Sequence, residues 1–346
     1  MPRDVVFAAV KLGMENSSTT GLLFYGGEPL LERQLIYDVV NHTKAIKKKT
    51  GHTFYYKMTT NGTLLDEEFL KFARDINLTI GFSHDGPVQD KCRRFPDGEG
   101  TFSLLEEKIP LLLKYQPYAV GMSVVDPSTV HEGANIVKFM FEKGFRYIHL
   151  SLNYCRTAPW TNELLLVLER EYNKLAQMYF EWTKSERKFY LSPFDMKILS
   201  HLKGENYNAD RLRMMKNQPS VMPDGKIYYS SKYLNNPDFV IGDVFSGIDS
   251  DKQRSISEKA AIPALLCQTC AIRSRCNYAY DNLVSGKNGI AAEISPMQCA
   301  NEQILTPIVD YAAEKLYKEH SALFMHKHYN ELYPVMSLVE DKSVTN

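Results

Sequence analysis

Four of the six cysteines in this 346-residue chain lie close together, at Cys267, Cys270, Cys276 and Cys299. The Cys-x2-Cys spacing of the first pair places two thiolates on one tight turn, and the later cysteines can complete a four-sulfur cage around a metal centre. By spacing alone, a structural zinc site, an iron–sulfur cluster and a disulfide knot all fit. Zinc is the commonest use of such spacing, and nothing else in the chain is typical of a secreted protein. The quartet therefore predicts a metal centre, and the spacing leaves the metal open.

Three further groups of polar residues follow apolar segments in the first quarter of the chain. They are Gly26-Gly27-Glu28-Pro29, Thr59-Thr60-Asn61-Gly62 and Ser83-His84-Asp85-Gly86-Pro87. Adjacent glycines let the backbone approach a ligand closely, and a neighbouring carboxylate can receive an ammonium group. Each group alone is typical of an ordinary turn. Three of them at successive strand ends predict a ligand site, because ligands bind beyond the carboxyl ends of parallel strands.

The segments that must position these residues alternate between strand and helix patterns. Short runs rich in aromatic and β-branched residues predict strands at 21–25, 53–59, 78–83, 118–125 and 145–152. Amphipathic patterns predict helices at 31–48, 66–76, 103–115, 131–143 and 162–184. This alternation indicates right-handed crossovers and a parallel sheet. A further helical pattern, 4–15, has no strand before it.

The balance of charges and the hydropathy exclude several classes of partner. Lys+Arg and Asp+Glu both number 41, so no net field favours nucleic acid. No stretch approaches 18 apolar residues, and Met1-Pro2-Arg3-Asp4 opens a polar segment, not a signal peptide. We expect a soluble cytoplasmic protein without a membrane partner. In that reducing compartment, clustered thiols bind metal more often than they form disulfides.

Three motifs resemble those of the radical S-adenosylmethionine superfamily, namely FYGGEPLL at 24–31, TNGTLL at 60–65 and SHDGP at 83–87. Within that superfamily the likeness is to the branch with a C-terminal SPASM domain, which contains anaerobic sulfatase-maturating enzymes and maturases of ribosomal peptides. The segment 94–102 also resembles the one that comes after the third motif in this branch. The likeness covers the chain from residue 1 to about residue 310.

The resemblance implies an α/β fold, in which a partial (β/α)6 TIM-like barrel without its first strand precedes a small Cys-rich SPASM-type domain. The expected parts are the barrel at 1–185, a bridging region at 186–215, the SPASM-type domain at 216–310, and a C-terminal helix with a polar tail at 311–346. A helix near 301–319 would pack the second domain back on the barrel.

The resemblance also implies a site for S-adenosylmethionine. The backbone of Gly26 and Gly27 and the side chain of Glu28 would hold the methionine amino group, and Ser83 would lie near the ribose. Pro29 and Asn61 complete the expected cofactor site.

The quartet matches the ligands of the second of the two auxiliary [4Fe–4S] clusters that SPASM domains typically bind. Positions that supply ligands to the first cluster are occupied here by Tyr280 and Ser230. The resemblance therefore implies one auxiliary cluster and favours iron–sulfur over zinc for Cys267, Cys270, Cys276 and Cys299.

One departure from the family pattern is large. Members carry a Cys-x3-Cys-x2-Cys loop after the first barrel strand, and its thiolates bind the cluster that cleaves the cofactor. This chain has no cysteine before Cys92, and residues 4–15 resemble the helix that comes after that loop. A truncated sequence and a homologue that has lost the chemistry both explain this, and the intact ligand motifs favour truncation. Residues 1–346 alone are not expected to cleave S-adenosylmethionine.

The reaction implied by the resemblance is reductive cleavage of S-adenosylmethionine to a 5′-deoxyadenosyl radical. That radical would oxidise or cross-link a residue in a peptide or protein substrate, with a reductant such as flavodoxin or ferredoxin. The alternative is a non-catalytic peptide-binding homologue in which the quartet is a structural metal site.

The remaining candidate residues are expected to be structural. We expect buried or partly buried thiols at Cys92 and Cys155, solvent-facing histidines at His326 and His328, a turn aspartate at Asp85 and a surface position for Asp281.

Overall fold

The computed structural model describes residues 1–15, 17–287 and 289–343. Its largest sheet has six strands, which succeed one another across the sheet in chain order: β1 Thr19–Phe24, β2 Thr53–Thr60, β3 Thr79–Ser83, β4 Val120–Val125, β5 Tyr147–Leu152 and β6 Tyr190–Leu191. The pairs from β2 to β6 are parallel, and β1 and β6 are the edge strands. The expected α/β class is therefore confirmed, with a parallel sheet that stays open within the described residues.

All five predicted strands form close to their expected ends, and so do the predicted helices between them. In chain order the helices are α1 Arg3–Met14, α2 Arg33–Thr50, α3 Glu67–Asp75, α4 Gln89–Cys92, α5 Phe102–Tyr115, α6 Gly133–Glu142, α7 Asn162–Lys184, α8 Ser192–Lys203, α9 Asn206–Lys216, α10 Ser250–Ala260, α11 Pro296–Lys318, α12 Ala322–Tyr329 and α13 Tyr333–Ser343. Strand β6 was not predicted, because two residues are too few to show the alternation of apolar and polar side chains. Within the described residues no helix combines the length and apolar character needed to cross a bilayer.

Two predicted helices begin at capping residues that the sequence shows. Asp66 precedes α3, and its carboxylate accepts the backbone N–H of Phe69 at 2.8 Å. Thr161 precedes α7, and its hydroxyl accepts the backbone N–H of Leu164. Each cap satisfies one of the backbone donors that the first turn of a helix leaves unpaired.

The chain divides into two compact units. The sheet unit consists of Leu23–Glu32, Tyr56–Leu199 and Gln303–Asn346, and the cysteine unit of Met1–Leu22, Arg33–Tyr55 and Ser200–Glu302. The boundary passes through β1 and β2 themselves.

The cysteine unit contains smaller strands of its own. They are β7 Ser220–Val221, β8 Lys226–Tyr228, β9 Val240–Asp243, β10 Gly247–Ile248, β11 Leu283–Gly286 and β12 Gly289–Ala292. Strands β7 to β10 form an antiparallel sheet, and β11 and β12 form a hairpin. The core of this unit includes Ile227, Phe239 and Ile241 together with Val5 of α1. Helix α1, which has no strand before it, thus buries an apolar side chain in this core.

The two faces of the six-stranded sheet differ in composition. One face buries large apolar side chains, including Ile80, Phe82, Ile148 and Leu150. The opposite face, called the inner face here, carries Thr59, Gly81, Ser83, Met122 and His149, because successive side chains of a strand alternate between faces. A Cβ built on Gly81 would lie 2.6 Å from Met122 Sδ and 3.3 Å from Thr59 Oγ1, so glycine makes room for that thioether.

A buried ionic cluster lies at the start of α8. The Oδ1 atom of Asp195 accepts the Tyr179 hydroxyl at 2.7 Å and lies 2.7 Å from Lys327 Nζ and 3.3 Å from His328 Nε2. Burial acts to raise the pKa of Asp195, but Lys327 and His328 hold it at about 2. His326 is exposed as expected, whereas the side chain of His328 is only 6% exposed, so its predicted solvent-facing position is wrong. A buried carboxylate requires nearby positive charge, and helix α12 supplies it.

We expect Asp195→Asn to lower the free energy of unfolding by about 3 kcal/mol or more, because it leaves the Lys327 ammonium buried without a counter-charge. Urea unfolding with linear extrapolation measures this. The control is Glu319→Gln, which breaks a partly exposed ion pair with Lys184 and should cost less than about 1 kcal/mol. Equal, small losses in both variants would contradict the ionic role of the cluster.

Candidate functional site

Glu28 joins the end of β1 to the end of β2. Its Oε1 accepts the Thr60 hydroxyl at 2.7 Å and the backbone N–H of Leu30 at 3.0 Å, and its Oε2 accepts the backbone N–H of Asn61 at 2.7 Å. Three of the four lone-pair sites of the carboxylate are thus used within the protein. One site on Oε2 is left for a donor from a ligand.

The Gly26–Gly27 segment directly after β1 is open. Both glycines are exposed, and among the described atoms none lies within 4 Å of a Cβ built on either residue. Backbone groups without side chains above them can be approached closely by a ligand. This exposed backbone immediately precedes the carboxylate that retains one acceptor site.

The turn after β2 is fixed by two residues. The Oδ1 atom of Asn61 accepts the backbone N–H of Thr63 at 2.9 Å and its hydroxyl at 2.8 Å. Gly62 has φ +80°, and a Cβ there would lie 2.2 Å from the ring of Phe82 on β3. Only glycine fits this position, and the close contact holds the turn against the neighbouring strand.

The sheet register places the predicted Ser83 in a row with residues that carried no motif. Ser83 pairs with Met122, and Met122 with His149. Thr60 pairs with Phe82 one position earlier, so Asn61 continues the row beyond β2. At the far end, Nδ1 of His149 lies 2.8 Å from the hydroxyl oxygen of Ser192, the first residue of α8. The sequence could have indicated His149, because it is a polar residue at a position of β5 whose side chain belongs to the inner face.

Two aspartates tie further strand ends together. The Oδ1 atom of Asp85 accepts the Ser123 hydroxyl at 2.8 Å, and its Oδ2 accepts the Nε–H of Arg93 at 2.6 Å. After β4, Oδ2 of Asp126 accepts the side-chain amide of Asn153 at 2.9 Å. Asp85 is thus a structural residue of the turn after β3, as expected.

Cys92 and Cys155 are exposed, so the expectation that they are buried or partly buried is wrong. Both lie at the carboxyl edge of the sheet, Cys92 at the end of α4 and Cys155 in the loop after β5. Loops of this kind stay on the surface, which overrides the usual burial of cysteine. Hydrogen bonds from Thr157 lower the pKa of the Cys155 thiol.

The four cysteines of the quartet lie in the cysteine unit, where some of their side chains are neighbours. Burial, and then the neighbouring Cys299 and Cys270, raise the pKa of the Cys267 thiol; burial and Cys270 also raise that of Cys299. Cys276 packs with Cys267 in one buried cluster. In residues 1–15, 17–287 and 289–343, no three Cys, His, Asp or Glu side chains stand close enough to hold a single metal ion. Cys270 nevertheless acts on both Cys267 and Cys299, and this repulsion between neighbouring thiolates is the kind that a bound cation would remove.

Ser230 and Tyr280, which stand where the resemblance implies ligands of a further cluster, lie in the same unit. Ser230 is 6% exposed, and its hydroxyl has no hydrogen-bond partner within the described residues. Asp281, next to Tyr280, is only 2% exposed, so its expected surface position is wrong. Its backbone adopts φ +53°, and its carbonyl oxygen accepts the Tyr233 hydroxyl at 2.9 Å and Lys232 Nζ at 2.5 Å. These two bonds keep the backbone of Asp281 in the interior, so its side chain is buried as well.

The carboxylate of Asp281 is unusual for this chain. Within the described residues neither oxygen has a hydrogen-bond partner. Burial raises the pKa of Asp281 to about 6, against the opposing charges of Lys232 and Arg211. In the other direction, burial lowers the pKa of Lys232 to about 8.

Curated relatives of this chain include anaerobic sulfatase-maturating enzymes, which confirms the resemblance found in the motifs. A cysteine-type enzyme from Clostridium novyi is 30% identical over 128 residues, which are 36% of this chain and 34% of the relative. A serine-type enzyme from Bacteroides thetaiotaomicron is 24% identical over 280 residues, which are 73% of this chain and 67% of the relative. The chain thus matches about a third of the length of the first of these relatives. No family model matches the sequence.

Solved structures of anSMEcpe have a fold similar to that of this chain. "Native anSMEcpe with bound AdoMet" superposes with a TM-score of 0.71 at 19% identity, over 91% of each chain. "Native anSMEcpe with bound AdoMet and Kp18Cys peptide" gives a TM-score of 0.70 at 19% identity, again over 91% of each chain. At this identity the likeness establishes the fold alone.

We expect Glu28→Gln to lower the free energy of unfolding by about 1–3 kcal/mol, because an amide nitrogen then faces one of the donors that the carboxylate accepts. Hydrogen exchange at the Asn61 amide should accelerate in the same variant. The control is Glu32→Gln, an exposed acid four residues later, which should change stability by less than about 0.5 kcal/mol. An unchanged exchange rate at the Asn61 amide would contradict the role of the Glu28 carboxylate in joining the ends of β1 and β2.

We expect Asp281→Asn to stabilise the protein above pH 6, by an amount up to about 3 kcal/mol. The folded-state pKa is raised from 3.8 to about 6, so the folded protein loses stability as the pH rises between these values and Asp281 ionises without a hydrogen-bond donor. Thermal unfolding of both proteins from pH 4 to 8 should show curves that meet at pH 4 and separate toward pH 7. The control is Asp251→Asn, whose side chain is 85% exposed and which should leave the pH dependence unchanged. Parallel curves for Asp281→Asn and the parent protein would refute the buried ionisation.

Proposed function

We propose that this chain is a radical S-adenosylmethionine protein of the SPASM branch, which binds S-adenosylmethionine at the carboxyl edge of its sheet and acts on a peptide or protein. One observation carries this proposal: polar residues follow the ends of neighbouring strands, and Glu28 is bonded to two of them, Thr60 and Asn61. The similarity to sulfatase-maturating enzymes supports it.

In this proposal the methionine end of the cofactor lies over the exposed backbone of Gly26 and Gly27. Its ammonium group donates to the acceptor site left on Glu28, whose other bonds fix the carboxylate in place. Pro29 comes next and starts the short 3-10 turn Pro29–Glu32. Asn61 and Ser83, on the next two strands, would border the cofactor toward its ribose.

The quartet of the cysteine unit would hold one auxiliary [4Fe–4S] cluster. Burial and the neighbouring Cys299 and Cys270 raise the pKa of the Cys267 thiol, burial and Cys270 raise that of Cys299, and Cys276 packs with Cys267. Such a cluster, when bound, can accept or relay an electron. The four thiolates would position it, and burial of Cys267 and Cys276 would shield it from water.

The chemistry proposed for the complete system is formation of a 5′-deoxyadenosyl radical and oxidation or cross-linking of a residue in the substrate, with flavodoxin or ferredoxin as a reductant. The sequence contains no Cys-x3-Cys-x2-Cys motif, so cleavage of the cofactor would require that motif from outside residues 1–346. The same observation favours the second candidate function, a peptide-binding homologue with a structural metal site.

The metal content separates the cluster from zinc. After anaerobic reconstitution we expect about four irons per chain, with visible charge-transfer absorption. Cys270→Ala should lose most of that iron and destabilise the cysteine unit, because metal binding and folding are coupled in cysteine-ligated sites. The control Cys155→Ala removes an exposed thiol outside the quartet and should retain the iron. One zinc per chain without visible absorption would reject the cluster and leave the structural site.

The cofactor proposal is tested by calorimetric titration with S-adenosylmethionine. Binding is expected, and Glu28→Ala should weaken it, whereas the nearby Glu32→Gln should not. Absence of any binding to the reconstituted protein would reject the proposed function, because the site would then not recognise its cofactor.

A further inference from the structure

Helix α13 exposes an apolar stripe along one side. Leu332 starts the helix, since its carbonyl oxygen accepts the backbone N–H groups of Val335 and Met336 at 3.1 and 3.0 Å. Leu332, Val335, Met336 and Val339 follow the spacing i, i+3, i+4 and i+7, which places them on one side of a helix. The exposed fractions of these residues lie between 51% and 66%. This set of four, called the α13 stripe here, forms the side that an amphipathic helix normally buries.

The opposite side of α13 is polar and buried. Ser337 and Asp341 lie roughly half a turn away from the stripe, and both are buried. The Asp341 carboxylate accepts the Tyr147 hydroxyl at 2.8 Å and lies 3.0 Å from Lys188 Nζ. It also pairs with Arg146. These contacts anchor α13 to the start of β5 and to the segment before β6, so the helix is held by polar groups while its apolar side faces solvent.

The stripe is large for an apolar surface that stays in water. With the adjoining Leu338 it exposes roughly 500 Å², whereas monomeric soluble proteins rarely leave contiguous apolar patches of more than a few hundred Å² uncovered. A specific interface buries about 600–800 Å² per partner, with an apolar centre and a polar rim. The α13 stripe therefore has the size of the apolar centre of a small interface.

The stripe is also complementary to itself. Its four positions are spaced evenly about the midpoint between Val335 and Met336. Two antiparallel copies of the helix therefore place Val335 opposite Met336, and Leu332 opposite Val339. A two-fold axis through the midpoint makes each of these pairs twice, as in the isologous interfaces of homodimers. Side chains at this spacing interdigitate when two helices pack side by side. A second copy of the chain thus supplies the matching surface.

The charges beside the stripe disfavour a lipid surface as its occupant. Glu331 and Glu340 lie at either end of the stripe, and both are exposed. Helices that lie on membranes are usually rich in lysine and arginine beside their apolar side, because the cytoplasmic lipid surface is anionic. Arg146 and Lys188 are bonded to Asp341 on the opposite side of α13.

We propose that a second copy of this chain covers the α13 stripe, and that the protein forms a two-fold dimer through antiparallel α13 helices. The inference goes beyond the proposed function, because α13 is anchored at the start of β5 whereas the candidate site lies at the carboxyl edge of the sheet. An interface of this small size predicts a dimer that dissociates at micromolar concentrations.

Sedimentation equilibrium of the full chain at about 1 to 100 μM measures this dimer. The parent protein should reach twice the mass of one chain at the higher concentrations. Val335→Glu and Val335→Lys each place two like charges beside the two-fold axis, so each should raise the dissociation constant about tenfold or more. An equimolar mixture of these two variants brings opposite charges together and should restore the dimer. The control is Leu166→Glu on α7, at a similarly exposed apolar residue outside the stripe, which should keep the parent dissociation constant.

The mixture separates a lost contact from a lost fold, because one misfolded variant cannot rescue another. A parent protein that stays monomeric at about 100 μM, a Val335→Glu dimer as tight as the parent dimer, or a mixture that stays monomeric overturns the inference. Co-sedimentation with vesicles of phosphatidylcholine and phosphatidylglycerol tests the lipid alternative, and the parent protein should remain in the supernatant. Vesicle binding that Val335→Glu abolishes would make the stripe a membrane surface and would also overturn the inference.

Discussion

The carboxylate of Glu28 is the contact on which the geometry of the candidate site depends. Strand β1 is an edge strand, so the loop after it has a neighbouring strand on one side only. Two hydrogen bonds of 2.7 Å tie this loop to Thr60 and Asn61 at the end of β2, and a third, 3.0 Å from the backbone N–H of Leu30, closes the loop on itself. The Gly26–Gly27 backbone can therefore be both exposed and fixed, although glycine alone gives a flexible chain. Because these backbone groups are already ordered, less conformational entropy is lost when a ligand binds.

Carboxylates join neighbouring strand ends at two further places along the carboxyl edge of the sheet. Asp85 joins the turn after β3 to Ser123 on β4, and Asp126 joins the end of β4 to Asn153 after β5. Each acid accepts donors of the neighbouring strand or its loop, so its charge is used to hold strand ends in register. These carboxylates are consequently poor candidates for acid–base chemistry. On the inner face, burial lowers the pKa of the His149 imidazole, so this side chain is neutral at pH 7.

Much of the fold is dictated by sequence periodicity, and the exceptions have physical causes. The strands and crossover helices were predictable because their apolar periods are regular, and the polar strand ends located Glu28, Asn61 and Ser83. His149 and Ser192 escaped because they belong to no motif and meet only through tertiary structure. The charged residues near Lys327 suggested a solvated helix face. Their burial depends on Asp195, 132 positions earlier in the chain, and no local pattern reveals such a partner.

In the cysteine unit, buried polar groups and buried thiols are stabilised in different ways. A thiolate cage neutralises its own charge through a metal, whereas a buried hydroxyl or carboxylate must find partners in the protein. Among the described residues the Ser230 hydroxyl is buried without such a partner, and burial of the Asp281 carboxylate outweighs the opposing effects of Lys232, Arg211 and Tyr233 on its pKa. Burial shifts the pKa of Asp281 upward and that of Lys232 downward, so the charged form of each group is less stable here than in water. This part of the unit is therefore held by Tyr233 and Lys232 at a backbone carbonyl, while the sulfur quartet provides the only predicted metal ligands.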